Sequence, residues 1–191
     1  MKTQVLFLNG PPSSGKDFVG NLIAKRYTGH NHVDKFARVL KESTHALYGI
    51  FVKGKPAPWY WFEDRKDEPC GELFGLTPRQ AYIGVSEDYM KKHHGSRIFG
   101  ELLLRDLRIH AVAAQRIIIT DSGFRGEAEV MVEHYGPQNC KMIHIRRSEC
   151  SFDGDSRDWV DLRDLGVSTL VLHNPGDATV RDHLDQLLPR C

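Results

Sequence analysis

A glycine-rich loop near the start of the chain carries residue types that bind phosphate. The apolar residues 5–8 lead into residues 10–17, which read Gly-x-x-x-x-Gly-Lys-Asp, and apolar positions at helical spacing follow. Glycines let a backbone fold closely around a polyphosphate, so that successive N–H groups and a helix N-terminus face the anion while the lysine reaches the outer phosphates. The pattern predicts a nucleoside triphosphate site between a strand and a helix.

The predicted loop departs from the usual pattern at one position. Asp17 stands where Ser or Thr normally places a hydroxyl on Mg²⁺. A carboxylate can bind the ion directly or through water, and an acid in a first helical turn can equally serve the helix dipole. We assign the triphosphate contacts to Gly10, Pro12, Ser13, Ser14, Gly15, Lys16, Asp17 and Phe18.

A second acid is predicted at the edge of a sheet. Asp121 follows residues 116–120, a run typical of a buried strand, so it should emerge where ligands of open α/β folds bind. Beside a phosphate loop such a carboxylate can hold Mg²⁺ directly or through water, which predicts a metal or catalytic role. Capping of the turn at 121–125 is the alternative interpretation.

Two further groups of charges point to phosphate chemistry. Three arginines, Arg146, Arg147 and Arg157, lie in a polar stretch after a strand, where guanidinium groups could close over a migrating phosphoryl group as a small lid. A second anion site is predicted from charges on two candidate helices: Lys35, Arg38 and Lys41 on one, and Arg79, Gln80 and Glu87 on the other. A solvated turn and ordinary exposed helix charges are the alternatives.

Composition limits the class of protein. The chain has 191 residues and a formal net charge of +1, which fits one domain and lacks the basic excess typical of nucleic-acid binding. Its four cysteines, Cys70, Cys140, Cys150 and Cys191, form no metal-binding spacing and are expected to be free thiols in a reducing cytosol. No apolar run is long enough for a membrane span or signal segment, so a cytoplasmic protein is expected.

The elements that must position these residues alternate between strand and helix. This alternation predicts an α/β fold, three layers with a five-stranded parallel sheet. The expected strands lie at 4–9, 32–36, 116–121, 141–145 and 168–173, and the expected helices at 15–27, 35–48, 77–93, 97–114, 125–135 and 177–188. The aromatic segment 49–76 has no clear period and is expected to be a loop that packs by its rings.

With these residues assembled, the chain resembles the P-loop nucleoside monophosphate kinases, above all the deoxynucleoside monophosphate kinases of bacteriophages. The similarity rests on the Gly-x-x-x-x-Gly-Lys-Asp loop, the Phe-Ala-x-x-Leu-Lys-Glu start at 36–42, and the Thr-Pro-Arg-Gln start at 77–80. It continues through Ile-Thr-Asp-Ser-Gly-Phe-Arg-x-Glu at 119–127, the paired arginines at 146–147, and the Asn-Pro-Gly-Asp that ends the final strand at 174–177.

The resemblance implies transfer of the γ-phosphate of ATP to the 5′-phosphate of a deoxynucleotide in the host cytoplasm. Lys16 and the loop with Arg146 would hold ATP, Asp17 and Asp121 would place Mg²⁺, and Arg147 and Arg157 would act with Lys16 and Asp121 in the transfer. Lys35, Arg38, Lys41, Arg79, Gln80 and Glu87 would bind the acceptor. A helical insertion at about 35–100 and a lid at about 146–160 would complete a single domain over 1–191.

The chain departs from the family pattern at two places. Gly123 occupies the position where the resemblance leads us to expect an arginine, and the lid reads Asp-Gly-Asp-Ser-Arg. A kinase acting on a hydroxyl of modified phage DNA, and a nucleotide-binding protein without catalysis, are the alternative functions. No membrane partner and no stable nucleic-acid partner are expected, and exposed aromatics at 59–62 would suit a homodimer contact.

Overall fold

The computed structural model describes residues 3–177 and 179–188 and is built on one parallel sheet. The strands are β1 (Gln4–Asn9), β2 (Asn31–Asp34), β3 (Phe51–Val52), β4 (Lys55–Pro56), β5 (Arg116–Ile119), β6 (Cys140–Arg146) and β7 (Ser168–His173). Five of them pair in the order β2-β5-β1-β6-β7, all parallel, while β3 and β4 form an antiparallel hairpin. The predicted five-stranded parallel sheet is confirmed.

Helices cover both faces of this sheet. They are α1 (Lys16–Arg26), α2 (Phe36–Leu47), α3 (Pro78–Ile83), α4 (Lys92–His94), α5 (Ile98–His110), α6 (Arg125–Tyr135) and α7 (Val180–Leu187). A π-helical segment, Gly84–Lys91, joins α3 to α4. The run starts at the predicted capping box, in which Thr77 and Gln80 each accept the other's backbone N–H through a side-chain oxygen.

The central strand explains the three layers. Val5 and Phe7 face a core that includes side chains of α5 and α6, whereas Leu6 and Leu8 face a core that includes side chains of α1 and α7. Because successive strand residues point to opposite faces, a continuous apolar strand must be covered on both sides. The result is the predicted three-layer α/β arrangement, with the sheet edge left open for the site.

The segment between α2 and α5 has a small core of its own. Phe62, Cys70, Leu73 and Ala81 are buried together there, and the buried His45 of α2 bonds the segment through both ring nitrogens. The predicted loop at 49–76 therefore contains ordered structure, namely the hairpin and a 3₁₀ turn at Gly71–Leu73, which its irregular sequence period concealed. Its packing by rings is observed for Phe62, while Tyr60 and Trp61 are exposed.

Several predicted boundaries are wrong by a few residues. The strand expected at 116–121 ends at Ile119, so that Asp121 lies in a turn beyond it. The strand expected near 32–36 is β2, and the helix expected at 97–114 is α5, which ends at His110. The helix expected at 177–188 begins at Val180, and residue 178 and Cys191 lie outside the described residues.

The remaining described cysteines are free, as expected. Cys70 and Cys140 are buried, and burial raises the pKa of the Cys140 thiol to about 12. Such thiols are unreactive at neutral pH. Over the described residues, no helix combines the length and the apolar character that crossing a membrane requires.

Candidate functional site

The phosphate loop at residues 10–17 joins β1 to α1 and is curved by left-handed backbone at Ser13 and Gly15 (φ +61° and +90°). A Cβ at Gly10 would lie 2.6 Å from the Ile145 carbonyl oxygen, so glycine allows the loop to pass this close to β6. The buried hydroxyl of Ser14 has no hydrogen-bond partner among the described residues. A concave loop with an unpaired buried hydroxyl fits a bound phosphate group.

Lys16 is folded against this loop. Its ammonium donates hydrogen bonds to the carbonyl oxygens of Gly10 (2.6 Å) and Pro11 (2.7 Å), and no described carboxylate lies within ion-pair distance of it. Burial, together with the positive charge of Arg157, lowers the pKa of Lys16 to about 8. A negative charge in the loop would stabilise this ammonium, which is what a triphosphate provides.

Asn174 supports the loop from the end of β7. Its buried side chain donates a 2.8 Å hydrogen bond to the Ser14 carbonyl oxygen and accepts one from the Gly176 N–H. A Cβ at Gly15 would lie 2.4 Å from the Asn174 amide nitrogen, so the two positions constrain each other. We did not assign this residue from sequence, although it belongs to the Asn-Pro-Gly-Asp segment that carries part of the resemblance.

Asp17 faces the cavity from the first turn of α1 and is already paired. Lys35 Nζ lies 2.6 and 2.7 Å from its two carboxylate oxygens, and the Thr120 hydroxyl donates to Oδ1 at 2.6 Å. Burial alone would raise the pKa of Asp17, but these bonds from Lys35 and Thr120 hold it below its usual value. Lys35 thus places a positive charge where a cation near this carboxylate would be attracted.

Asp121 caps the N-terminus of α2. Its two carboxylate oxygens accept the backbone N–H groups of Phe36 (2.8 Å) and Ala37 (2.9 Å), since the N-cap residue Lys35 makes no side-chain cap. Burial raises the pKa of this carboxyl despite those two bonds. Sequence reasoning considered a cap of its own turn, whereas the acid caps a helix that precedes it by 85 residues.

The oxygen atoms of Asp17, Thr120 and Asp121 fit the donor set that Mg²⁺ prefers. All three side chains line one cavity, and each carboxylate oxygen keeps a further lone pair. Residues 3–177 and 179–188 contain no cluster of three or more His, Cys, Asp or Glu placed to hold a metal ion. The assignment of Mg²⁺ to Asp17 and Asp121 therefore remains a prediction in which phosphate oxygens and water would complete the coordination.

One cavity of about 540 Å³ connects the loop to the helical segment. It is bordered by the loop residues Pro12, Ser13, Lys16 and Asp17, and by six basic side chains in all: Lys16, Lys35, Lys41, Lys66, Arg79 and Arg157. Its acidic side chains are Asp17, Glu63, Glu87, Asp121 and Asp155. The cavity is thus a charged cleft with a phosphate loop at one part of its wall.

The part of the wall formed by the helical segment presents three cations. Lys41 is paired with Glu63 and lies 5.5 Å from the centroid of a Trp59 ring. Arg79 is paired with the exposed Asp67, and its N–H donates to the carbonyl oxygen of Lys66. Lys66 was not identified from sequence, because it stands in an ordinary charge-rich stretch between 63 and 68.

Two residues assigned to acceptor binding lie outside this cavity. Arg38 borders a separate cavity of about 720 Å³, where its guanidinium donates to Asp34 at 2.6 Å and to Asp106 at 2.5 Å. These carboxylates neutralise Arg38, so helical spacing alone placed it wrongly on the face of Lys35 and Lys41. Gln80 is used in the capping box and does not line the cavity.

The loop-binding assignments differ in how they are placed. Arg147 donates to the Ser13 carbonyl oxygen at 3.2 Å, so it borders the phosphate loop from outside. Arg146 lies with its guanidinium carbon 5.4 Å from a Trp159 ring centroid, and Phe18 is 51% exposed. Arg146, Arg147 and Phe18 do not line the cavity.

Arg157 is the lid arginine that enters the cavity. Asp155 accepts hydrogen bonds from its Nε (2.8 Å), its Nη2 (2.6 Å) and its backbone N–H (2.9 Å), which fix the side chain. A Cβ at Gly123 would lie 2.5 Å from Arg157 Cδ. The glycine that replaces the arginine expected from the resemblance therefore provides the space that Arg157 occupies.

Glu127 is a buried acid near this wall of the cavity. Only 4% of the residue is exposed, and burial, with the negative charge of Asp121, raises its pKa to about 8. Its side chain makes no hydrogen bond within the described ranges. At neutral pH the carboxyl is therefore mostly protonated, because a buried charge without a bonded partner is costly.

Glu127→Gln should change how stability depends on pH. Between the ordinary pKa of 4.5 and about 8, the folded protein holds a proton that the unfolded chain has lost. The contribution of Glu127 to the free energy of unfolding therefore falls by about 1.4 kcal/mol per pH unit as pH rises. Urea denaturation from pH 5 to 8.5 should show this slope disappear in the variant. Glu133→Gln, an exposed acid of the same helix, is the control, and equal slopes in all three proteins would contradict the prediction.

Comparison with known proteins gives limited similarity. No family model and no curated protein matches the chain. A solved structure that it resembles is an unliganded sugar kinase from Janibacter sp. HTCC2649, with 16% sequence identity, coverage of 98% of this chain and 96% of that chain, and a TM-score of 0.41. Similarity at this level does not identify a substrate or an activity.

Proposed function

We propose that the protein is a phosphotransferase that moves the γ-phosphate of ATP to the 5′-phosphate of a deoxynucleoside monophosphate, giving ADP and a deoxynucleoside diphosphate. One observation carries the proposal. A single cavity contains the phosphate loop and a second set of cations, and Arg157 interacts electrostatically with Lys16 of the first and Arg79 of the second. Two anion-binding regions joined through one arginine suit transfer between two phosphorylated molecules.

The donor would occupy the loop. The loop's backbone and the N-terminus of α1 face the β- and γ-phosphates, and Lys16 would exchange its carbonyl partners for phosphate oxygens. Ser14 would gain the partner that its hydroxyl lacks. Asn174 keeps the loop in this shape through the Ser14 carbonyl oxygen.

The acceptor phosphate would bind among Lys41, Lys66 and Arg79. Lys41 and Arg79 are held by Glu63 and Asp67, and both pairs are within reach of solvent. A dianionic phosphate carries more charge than either carboxylate, so it would compete for these cations. Lys35, which borders the same cavity and pairs with Asp17, would contribute its charge between the two sites.

The chemistry would then require positioning and charge neutralisation, with no general base. A 5′-phosphate oxygen of the acceptor, already ionised at neutral pH, forms the new bond to the γ-phosphorus. The bond from that phosphorus to the β,γ-bridging oxygen breaks, and the electron pair leaves with ADP. Arg157 and Lys16 would stabilise the charge on the transferring group. Mg²⁺, held through Asp17 and Asp121, would supply further neutralisation of phosphate charge.

The test is ADP release, measured in a coupled assay with ATP, Mg²⁺ and each of the four deoxynucleoside monophosphates and their ribonucleotide counterparts. We expect turnover that requires an added monophosphate. If labelled phosphate instead enters DNA and not free nucleotides, the acceptor is a polymer. If ATP binds tightly and no acceptor produces ADP, the proposal is wrong and a nucleotide-binding role is supported.

A further inference from the structure

The helical run that borders the acceptor half of the cavity contains an unusual element. Its π-helical segment, Gly84–Lys91, places Ser86 and Glu87 on the cavity wall. A π segment has poorer backbone geometry than an α-helix and occurs often at functional sites, where it changes which side chains face a ligand. The inference concerns what Glu87 contacts there, and it rests on the proposed function.

Glu87 is held by one oxygen and offers the other. Lys91 Nζ donates to Oε1 at 2.8 Å, and the buried Ser86 hydroxyl donates to the same oxygen at 3.1 Å. Within the described part of the chain Oε2 makes no hydrogen bond, and half of the Glu87 side chain is exposed. The neighbouring salt bridge keeps the carboxylate ionised, so it can only accept hydrogen bonds.

An aromatic ring lies beside this carboxylate. Lys91 Nζ is 3.7 Å from the centroid of the Phe124 ring, and Phe124 itself lines the cavity. Lys91 therefore joins the ring and the carboxylate of Glu87 into one rigid cluster. A flat π-face beside a fixed carboxylate can stack a nucleobase and read its edge.

The hydrogen-bonding edges of the four bases differ in how many adjacent donors they offer. Guanine presents two neighbouring donors, its ring N1–H and its exocyclic amino group, which together match an ionised carboxylate. Adenine and cytosine present only an amino group beside an unprotonated ring nitrogen. Thymine presents one N–H between two carbonyl oxygens, which a carboxylate would repel.

From this match we propose that Glu87 is the specificity-determining residue of the acceptor site and that it selects guanine, stacked on Phe124. The preferred acceptor is then deoxyguanosine monophosphate. A hydrogen bond to a charged group is worth about ten- to a hundredfold in affinity or rate. Selection of this kind is strongest against analogues that leave the polar group of the protein without a partner.

The sharpest test compares deoxyguanosine with deoxyinosine monophosphate, which lacks only the exocyclic amino group. In the parent protein we expect kcat/KM for the guanine nucleotide to be about ten- to a hundredfold higher. In Glu87→Gln that ratio should fall close to one, and turnover of thymidine monophosphate should rise relative to the guanine nucleotide. Asp88→Asn changes an exposed charge one residue away and should retain the parent ratio.

The ratio separates recognition from structural damage, because a loss of fold lowers both rates together and leaves the ratio unchanged. An equal preference for the two purine nucleotides in the parent protein, or an unchanged ratio in Glu87→Gln, would overturn the assignment of Glu87. Turnover of other monophosphates would then still support the proposed kinase activity. If no monophosphate promotes ADP release, the proposed function itself has failed.

Discussion

In Lys16→Met, ADP release in the presence of ATP and a deoxynucleoside monophosphate should fall by about a hundred- to a thousandfold. The substitution keeps the length of the side chain and removes the charge that would neutralise the outer phosphates. The measurement is the coupled assay under saturating acceptor. Lys25→Met, an exposed lysine in the last turn of the same helix, is the matched control and should retain parent activity.

The same substitution should not destabilise the ligand-free protein. Burial lowers the pKa of Lys16 to about 8, so at pH 7 the folded state carries an ammonium that the unfolded chain would hold more favourably. Removing that charge relieves this cost, which is the usual conflict between stability and function at a site. We therefore expect the Tm of Lys16→Met at pH 7 to equal or exceed that of the parent. Near-normal turnover in this variant would reject the assignment of the loop.

Arg157→Ala should reduce kcat by about a thousandfold, with a much smaller effect on the KM for ATP. An arginine placed on a transferring phosphoryl group contributes on this scale. Arg157 is suited to the task because Asp155 fixes it and Gly123 leaves the space through which it reaches the cavity. Rapid-quench measurement of phosphoryl transfer would show whether the chemical step itself is slowed.

The lid provides a close structural control for Arg157. Arg163 is bonded by Asp161 through the same atoms, Nε, Nη2 and backbone N–H, but its side chain is 73% exposed and lies away from the cavity, compared with 28% for Arg157. Arg163→Ala should therefore leave kcat unchanged. If the two variants lose activity equally, Arg157 acts through lid structure and not on the transferring group.

Sequence reasoning located the donor half of the site because its signal is local. Residues 10–17 contain the glycines, the lysine and the acid in one continuous stretch, and the strand and helix on either side show their own periods. The acceptor half was predicted less well. Arg38 and Gln80 have suitable spacing, yet one is neutralised by Asp34 and Asp106 and the other caps a helix. Those partners come from contacts that helical spacing does not encode.

The amino-acid sequence by itself determined the parallel sheet, its covering helices and the phosphate loop, because apolar periodicity and the glycine pattern are properties of short segments. Tertiary structure alone decided that Asp121 caps α2, that Asn174 supports the loop, and that Arg157 fills the space beside Gly123. Each of these contacts joins residues that are distant in sequence. Their geometry follows from how the sheet and its connections pack, which no local pattern records.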